Sequence, residues 1–398
     1  MDAVALLHEL LDRDDTRPPL STPRATVAFT ATKDTLSRLV AVAGPAIPTK
    51  DAMEVLKHFQ IHAEPGRLQL VATDIDRTLI ATTTDVAVTS PGTVVIPARR
   101  LGETIRLSPA GSTISVATAD GFASVTAGNT TWKLKLLAAH DYPTLPDTTE
   151  LVATTINWHP LADALRAVVH AACRDTNRAA LMMVDVRGGT VTATDNARFQ
   201  QAAIDAMPFP IQIPVTAVDD LLKLGAGCPE DQRVSIGETP HRLVFRLDNV
   251  VFVANKLTAR FPDLEATLLR PALANRHPLT VGKKQLLDAI ARVRLNADPD
   301  TSAVALHIRP TAVTVHCRDS HDNDAQEVID AVWKGPERTI AVNHRYLTDA
   351  VKAHPGAELT VHLGDDTKTR KAPLLLRDKA AGRTGVVQQM LIDWEGTP

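Results

Sequence analysis

The sequence predicts an α+β fold of three tandem domains, each with two short helices packed on antiparallel sheets. Three observations predict it: a strand-turn phrase that recurs about 120 residues later, paired helical stripes that recur at one spacing in three segments, and β-like alternation between them.

The phrase is Val71-Ala-Thr-Asp-Ile-Asp-Arg77, echoed by Thr192-Ala-Thr-Asp-Asn-Ala-Arg198. In both, a short apolar run meets a turn with an aspartate and then an arginine. Asp74 and Asp195 read as turn-capping residues. The third counterpart, Val313-Thr-Val-His-Cys317, has drifted and leads into the polar loop Asp319–Asp324. That loop lacks the sixth-position Gly and twelfth-position Glu of a calcium loop, so a solvated turn is expected.

Ahead of each phrase lies an i, i+3, i+4 stripe, the mark of one buried helix face. The stripes are Leu36, Leu39, Val40; then Leu165, Val168, Val169; then Leu286, Ala289, Ile290. A second stripe follows a short strand in each segment: Leu101, Thr104, Ile105; then Val218, Leu221, Leu222; then Leu347, Ala350, Val351. Alternating runs such as Thr113-Ile-Ser-Val-Ala117 complete the units. Two units close on an aromatic-proline turn, Tyr142-Pro143 and Phe261-Pro262.

The domains are therefore expected at 25–148, 151–272 and 277–396. Each is large enough for its own core. Residues 1–24 stand outside the repeat, as a flexible extension with the leucine stripe Leu6, Leu7, Leu10, Leu11 and the tether Arg17–Pro23.

A net charge of −3 names no partner for the whole chain. No apolar run is long enough to span a membrane, and no secretory signal is read at the start. Cys173, Cys228 and Cys317 are odd in number and far apart, which favours a reducing, cytoplasmic setting over a disulfide scaffold or zinc site. No HExxH or GxSxG occurs. Gly225-Ala-Gly-Cys-Pro-Glu230 reads as a helix C-cap turn rather than a phosphate loop. No catalytic residue, metal ligand set or cofactor is predicted.

Ala-Thr-Asp, Ile-Pro-Ala-Arg and Asp-Tyr-Pro-Thr-Leu-Pro in this order, with three-fold recurrence, resemble the bacterial DNA polymerase III beta subunit, the sliding clamp, over about residues 25 to 395. The resemblance implies three DNA-clamp domains per chain and a head-to-tail homodimer forming a ring of six domains. It also implies a non-enzymatic processivity factor that encircles double-stranded DNA.

Residues seven apart on each second helix share the face away from its stripe. They are Arg99 and Arg106, Thr216 and Lys223, Arg345 and Lys352, so five of six are basic. The first helices and their surroundings add Arg38, Lys50, Arg166, Arg174, Lys284 and Arg292 as the DNA-binding set. Family members often carry a basic pair where Val215 and Thr216 stand, so the second domain is weaker here.

The resemblance further implies a groove between domains two and three. There a polymerase and a clamp loader would dock short peptides. Its positions are Leu165, Thr194, Asn196, Ala197, Arg198, Phe199, Pro262, Tyr346, Val386, Val387, Gln388, Gln389 and Met390. Asn196-Ala197 replaces a common Gly-His, and Gln388-Gln389-Met390 a frequent Met-Pro-Met. Altered peptide preference, as in a second or partner-sequestering clamp, is the alternative. For the dimer contact, the edge Thr131–Leu136 would place Trp132 and Leu134 against the partner's Leu295 region. Lys133 and Lys135 would meet Asp322, Asp324 or Glu327.

Overall fold

The computed structural model describes residues 27–48, 53–145, 152–366 and 371–391. The extension at 1–24, Lys50 and the linker near 148–150 lie outside the described residues. The chain divides into two compact units, residues 1–145 and 146–398.

The first unit holds β1 (Ala28–Thr32), α1 (Lys33–Ala43), β2 (His58–Glu64), β3 (Arg67–Thr73), β4 (Arg77–Thr83), β5 (Ala87–Ser90) and β6 (Gly92–Pro97). It continues with α2 (Ala98–Leu107), β7 (Thr113–Ala119), β8 (Phe122–Ala127) and β9 (Thr130–Lys135). Its strands form two antiparallel layers, β5-β1-β7-β8-β9 and β4-β3-β2-β6, with α1 packed on α2 and on β4. Strand β7 alternates strictly, with Ile114, Val116 and Thr118 inside, as a half-buried strand must.

The second unit contains the same order twice. First come β10 (Val152–Asn157), α3 (Trp158–Val168), β11 (Met183–Arg187), β12 (Thr190–Thr194), β13 (Arg198–Ala203), β14 (Ile211–Pro214), α4 (Val215–Leu224), β15 (Arg233–Glu238), β16 (Arg242–Leu247) and β17 (Val250–Asn255). Then come β18 (His277–Gly282), α5 (Lys283–Val293), β19 (Ala303–Ile308), β20 (Ala312–Arg318), β21 (Asp324–Trp333) and β22 (Arg338–Asn343). The order closes with α6 (His344–Ala353), β23 (Glu358–Leu363), β24 (Leu374–Asp378) and β25 (Arg383–Val387). The two halves fuse where β13 pairs with β25, Arg198 opposite Val387 and Ala202 opposite Arg383. One twelve-stranded sheet, β14-β11-β12-β13-β25-β24-β23-β18-β21-β20-β19-β22, results.

The helical stripes are the buried faces. Leu36 and Leu39, Leu101 and Ile105, Leu165 and Val168, Val218 and Leu221, Leu286 and Ile290, and Leu347 and Val351 are all at most 5% exposed. Each such burial is worth about 2 kcal/mol. Caps fix where the helices start. Thr32 Oγ1 accepts from Thr35 N at 3.1 Å ahead of α1, and Asn343 Oδ1 accepts from Arg345 N at 2.9 Å ahead of α6.

The aromatic-proline turns plug cores. Tyr142 packs on Val71 and Val95 and donates to Val71 O at 3.3 Å. Phe261 joins Met183, Phe199, Leu264, Leu268, Leu375 and Val386 in a cluster drawn from both halves of the second unit. The loop at Asp319 satisfies itself: Asp319 Oδ1 accepts from His321 N and Asn323 N. Gly225 does cap α4, but for a reason that local spacing does not give. Its φ is −85°, not left-handed, and the indole of Trp158 sits 2.1 Å from where a Cβ would stand. Trp158 Nε1 donates to Gly225 O at 3.1 Å, so the glycine makes room for a buried ring.

Candidate nucleic-acid and peptide interfaces

The helix register decides which side chains reach solvent. Burying one stripe turns the residues on the opposite face outward. Arg38, Arg99, Arg106, Arg166, Arg174, Lys223, Lys284, Arg292, Arg345 and Lys352 are all exposed. Half of them already hold a carboxylate. Arg99 Nε meets Glu103 at 3.0 Å, and Arg174 forks onto Asp219 at 2.8 and 3.2 Å. Lys223 lies 3.8 Å from Asp220, while Lys284 pairs with Asp288 and Arg292 with Glu327. Such exposed pairs contribute little to stability and leave the cation free to exchange its partner. Among the described residues, Arg38, Arg106, Arg166, Arg345 and Lys352 form no ion pair.

The positions predicted for a peptide groove converge on the seam between β13 and β25. The turn before β13 is built locally. Thr194 Oγ1 donates to Arg198 O at 2.6 Å and accepts from Asn196 N at 3.0 Å, with Asn196 at φ 76°. Asp195 Oδ1 accepts from Ala197 N and Arg198 N, each at 3.0 Å. The side chain of Arg198, 12% exposed, reaches Asp195 at 2.9 Å and Asp349 of α6 at 2.8 Å. Its guanidinium lies 4.3 Å from the Tyr346 ring centre. Gln388 N donates to Ala197 O at 2.9 Å and Met390 N to Ala341 O at 2.8 Å, which lays the segment after β25 beside the turn.

Surface and core separate within this set. Asn196 is exposed; Ala197, Arg198, Pro262, Tyr346, Gln388, Gln389 and Met390 are half-buried. Thr194, Phe199, Val386 and Val387 are at most 3% exposed, and Leu165 is fully buried. These five side chains are core rather than contact surface. Gln389 is also engaged, donating to Ala372 O at 2.6 Å and to Asp366 at 3.2 Å. Asp349, whose carboxylate holds Arg198, is not among the positions expected from sequence. A single aspartate on a helix carries no local signal of a partner 151 residues away.

At the expected dimer edges, β9 is the outer strand of its layer. Trp132 is half-buried, and Leu134 is 8% exposed within its own unit. Both share the inward face of the strand, while Lys133 and Lys135 point out. Lys133 Nζ lies 4.2 Å from the Phe122 ring centre. On β21, residues 324–330 pair with β20 on one side, and only residues 331–333 pair with β18 on the other. Beside that open stretch Leu295 is 84% and Val328 65% exposed. Asp322 bonds Arg318, and Asp324 lies 3.1 Å from His316.

The three cysteines are free, Cys173 and Cys317 buried. Among the described residues no group of His, Cys, Asp and Glu side chains has a metal-binding arrangement, and no helix is long and apolar enough to cross a membrane.

Comparison with known proteins matches these features. The family description "DNA polymerase III beta subunit, N-terminal domain" fits residues 27–146, and its "C-terminal domain" fits residues 273–388. The beta sliding clamp of Synechococcus elongatus is 24% identical over 347 residues, covering 83% of this chain and 91% of that protein. The Escherichia coli K12 clamp is 25% identical over 337 residues, covering 82% and 90%. Among solved structures, the Pseudomonas aeruginosa sliding clamp bound to griselimycin has a TM-score of 0.84 at 22% identity, covering 92% of this chain and all of that one. The Caulobacter crescentus clamp has a TM-score of 0.86 at 21% identity, covering 93% and 100%. With both outer repeats matched by its domain descriptions, this chain belongs to the DNA polymerase III beta subunit family.

Proposed function

We propose that this protein is a DNA sliding clamp: two copies join head to tail, enclose duplex DNA without reading its sequence, and tether a polymerase. The observation that carries the reading is the set of six helices with outward cations, in a chain whose outer repeats both match the beta subunit. Arginine and lysine on phosphates hold position without reading bases. Topology keeps the ring on DNA, so attraction need only be weak, and weak contacts permit sliding. A tethered polymerase gains effective concentration at the primer end. The clamp itself makes no bond and works in the cytoplasm beside the chromosome.

Closure would use the two open edges. β9 presents backbone groups with Lys133 and Lys135; residues 324–330 of β21 present backbone groups with Asp324 and Asp330, flanked by exposed Leu295. Strand addition supplies main-chain hydrogen bonds, and the charges favour one register. In this reading the inward Trp132 and Leu134 brace β9 from behind. Short partner peptides would lie over Ala197, Pro262 and Met390, against the cluster that contains Phe199 and Val386.

Light scattering should give a species near twice 42.9 kDa. Loaded onto nicked circular DNA, the protein should be retained, then lost on linearisation. Equal loss from circular and linear DNA would remove the ring.

A further inference from the structure

Strand β25 ends at Val387, and the residues that follow are held outside any strand. Their backbone is pinned at two places. Gln388 N donates to Ala197 O of the second repeat at 2.9 Å, and Met390 N donates to Ala341 O of β22 at 2.8 Å. Between these pins a side chain takes hold. Gln389 Nε2 donates to Ala372 O at 2.6 Å and to Asp366 Oδ1 at 3.2 Å. One residue beyond Met390, Leu391 is 84% exposed, so these are the last holds on the chain among the described residues. An end held by few bonds opens easily, and each hold near it counts.

Asp366, between β23 and β24, is itself fixed. Ala372 N donates to its Oδ1 at 2.9 Å, and Arg338 Nη2 of β22 lies 3.1 Å from the same oxygen. Lys371 Nζ lies 3.2 Å from Oδ2. Arg338 is anchored in turn, its Nη1 donating to Gly364 O at 2.7 Å. The side chains of Arg338 and Asp366 are 13% and 22% exposed, so the pair is largely withdrawn from water. A hydrogen bond to an ionised acceptor is stronger than a neutral one, and more so where water is scarce. A carboxylate with donors on both oxygens is also oriented, and it can orient an amide.

We propose that Gln389 and Asp366 are positioning residues for the peptide groove: their hydrogen bond latches the segment after β25, so that Met390 stands as a fixed wall. The inference deepens the groove reading and rests on it for its function. A wall already in place spares a bound peptide the cost of ordering it.

Amide hydrogen exchange on the full chain, without peptide, tests the latch. Gln389→Met keeps the length of the side chain and removes its donors. Exchange at Met390 N should then speed up about tenfold or more, because its hydrogen bond to Ala341 opens locally. Amides within β25 should change less than about twofold. Gln389→Lys supplies an ammonium donor and should restore the original exchange. Asp365→Asn alters the neighbouring carboxylate, which is 81% exposed, and should leave Met390 unaffected. Unchanged exchange in Gln389→Met, or no recovery in Gln389→Lys, would overturn the latch.

The functional readout is a fluorescein-labelled peptide carrying the clamp-binding segment of the host polymerase. Its affinity should fall about fivefold in Gln389→Met and recover in Gln389→Lys. The urea midpoint should stay unchanged in all three variants. Faster exchange with unchanged affinity, or an affinity loss that follows a shifted midpoint, would overturn the positioning role. Failure of the unaltered chain to bind the peptide would instead sink the groove reading, and exchange at Met390 would still decide the latch.

Discussion

The two turns that share a sequence phrase are built alike, and the second carries a contact to a helix of the next repeat. In the first, Thr73 Oγ1 donates to Arg77 O at 2.8 Å, Asp74 Oδ1 accepts from Arg77 N at 2.8 Å, and Arg77 Nε meets Asp74 at 3.0 Å. In the second, Thr194, Asp195 and Arg198 repeat these hydrogen bonds at 2.6, 3.0 and 2.9 Å. Both place their third residue in the left-handed region, Ile75 at φ 79° and Asn196 at φ 76°. At the second, α6 of the following repeat lies alongside. There Arg198 spans to Asp349 and stacks on Tyr346, and the turn becomes one wall of the proposed peptide groove. A short phrase can thus fix a local shape and leave its use to the neighbour.

The largest way to break that contact is to remove its arginine. Arg198→Ala strands Asp195 and Asp349 in a half-buried seam and should cost about 3 kcal/mol, near the lower end for a broken buried pair. Asp349→Asn, which keeps the Asp195 pair and loses only the bridge to α6, should cost about 1 kcal/mol. Urea unfolding of both variants checks this, and no loss in Asp349→Asn would mean that the bridge to α6 contributes nothing.

Next comes pH. His170 has its folded pKa lowered to about 4, by burial first and then by Arg198. The unfolded chain takes up the proton at about 6.5, so stability is full above that pH and falls as pH drops toward 4. His170→Phe should remove a part of this slope on the order of 2 kcal/mol. Unfolding curves at pH 7 and pH 5 for the two proteins measure it. A slope unchanged in the variant would place the titration elsewhere.

A smaller effect sharpens the comparison at the left-handed residue. Ile75 is β-branched and 55% exposed, so it carries backbone strain with little burial to offset it. Ile75→Asn should stabilise by about 1 kcal/mol, and Asn196→Ile should destabilise by a similar amount. A drop in stability in Ile75→Asn would show that Ile75 packs more than its exposure suggests.

The smallest effect concerns the helix faces. Removing one cation that pairs with a phosphate should lower the salt dependence of linear-DNA binding by about one unit of slope. Arg106→Gln should do this, and Thr216→Arg should restore in the second repeat what the first and third have. Filter binding across a salt series tests both, and an unaltered slope in either would take that helix out of the DNA-facing set.

Several features are legible in the sequence because they are local. The stripe Leu101, Thr104, Ile105 predicts a helix face, and all three are buried. The same spacing predicts that Arg99 and Arg106 face outward, and they do. The seven-residue spacing requires only a helix and a core to pack on. The groove positions rest on a family resemblance, and the structure divides them in a way no spacing reveals. Phe199 and Ala197 sit two residues apart, yet one is core and the other is half-buried at the seam. Trp132 and Leu134 are expected at a partner contact, and no spacing reveals that within its own layer the first is half-buried and the second 8% exposed. Gly225 reads as a backbone requirement and is instead a space for Trp158, 67 residues earlier.

By itself the sequence determined the repeat, the two helices per repeat, their buried stripes and the shape of the Thr-Asp-x-x-Arg turns. These follow from periodicity and from hydrogen bonds that close within a few residues. Only the tertiary structure decided that β13 would pair with β25, that Arg198 would be held by Asp349, and that Arg166 and His170 would share one cavity with Lys352. Each of these joins elements from different repeats, far apart along the chain. Such distant pairing is set by how two complete cores dock, not by any rule of spacing along the chain.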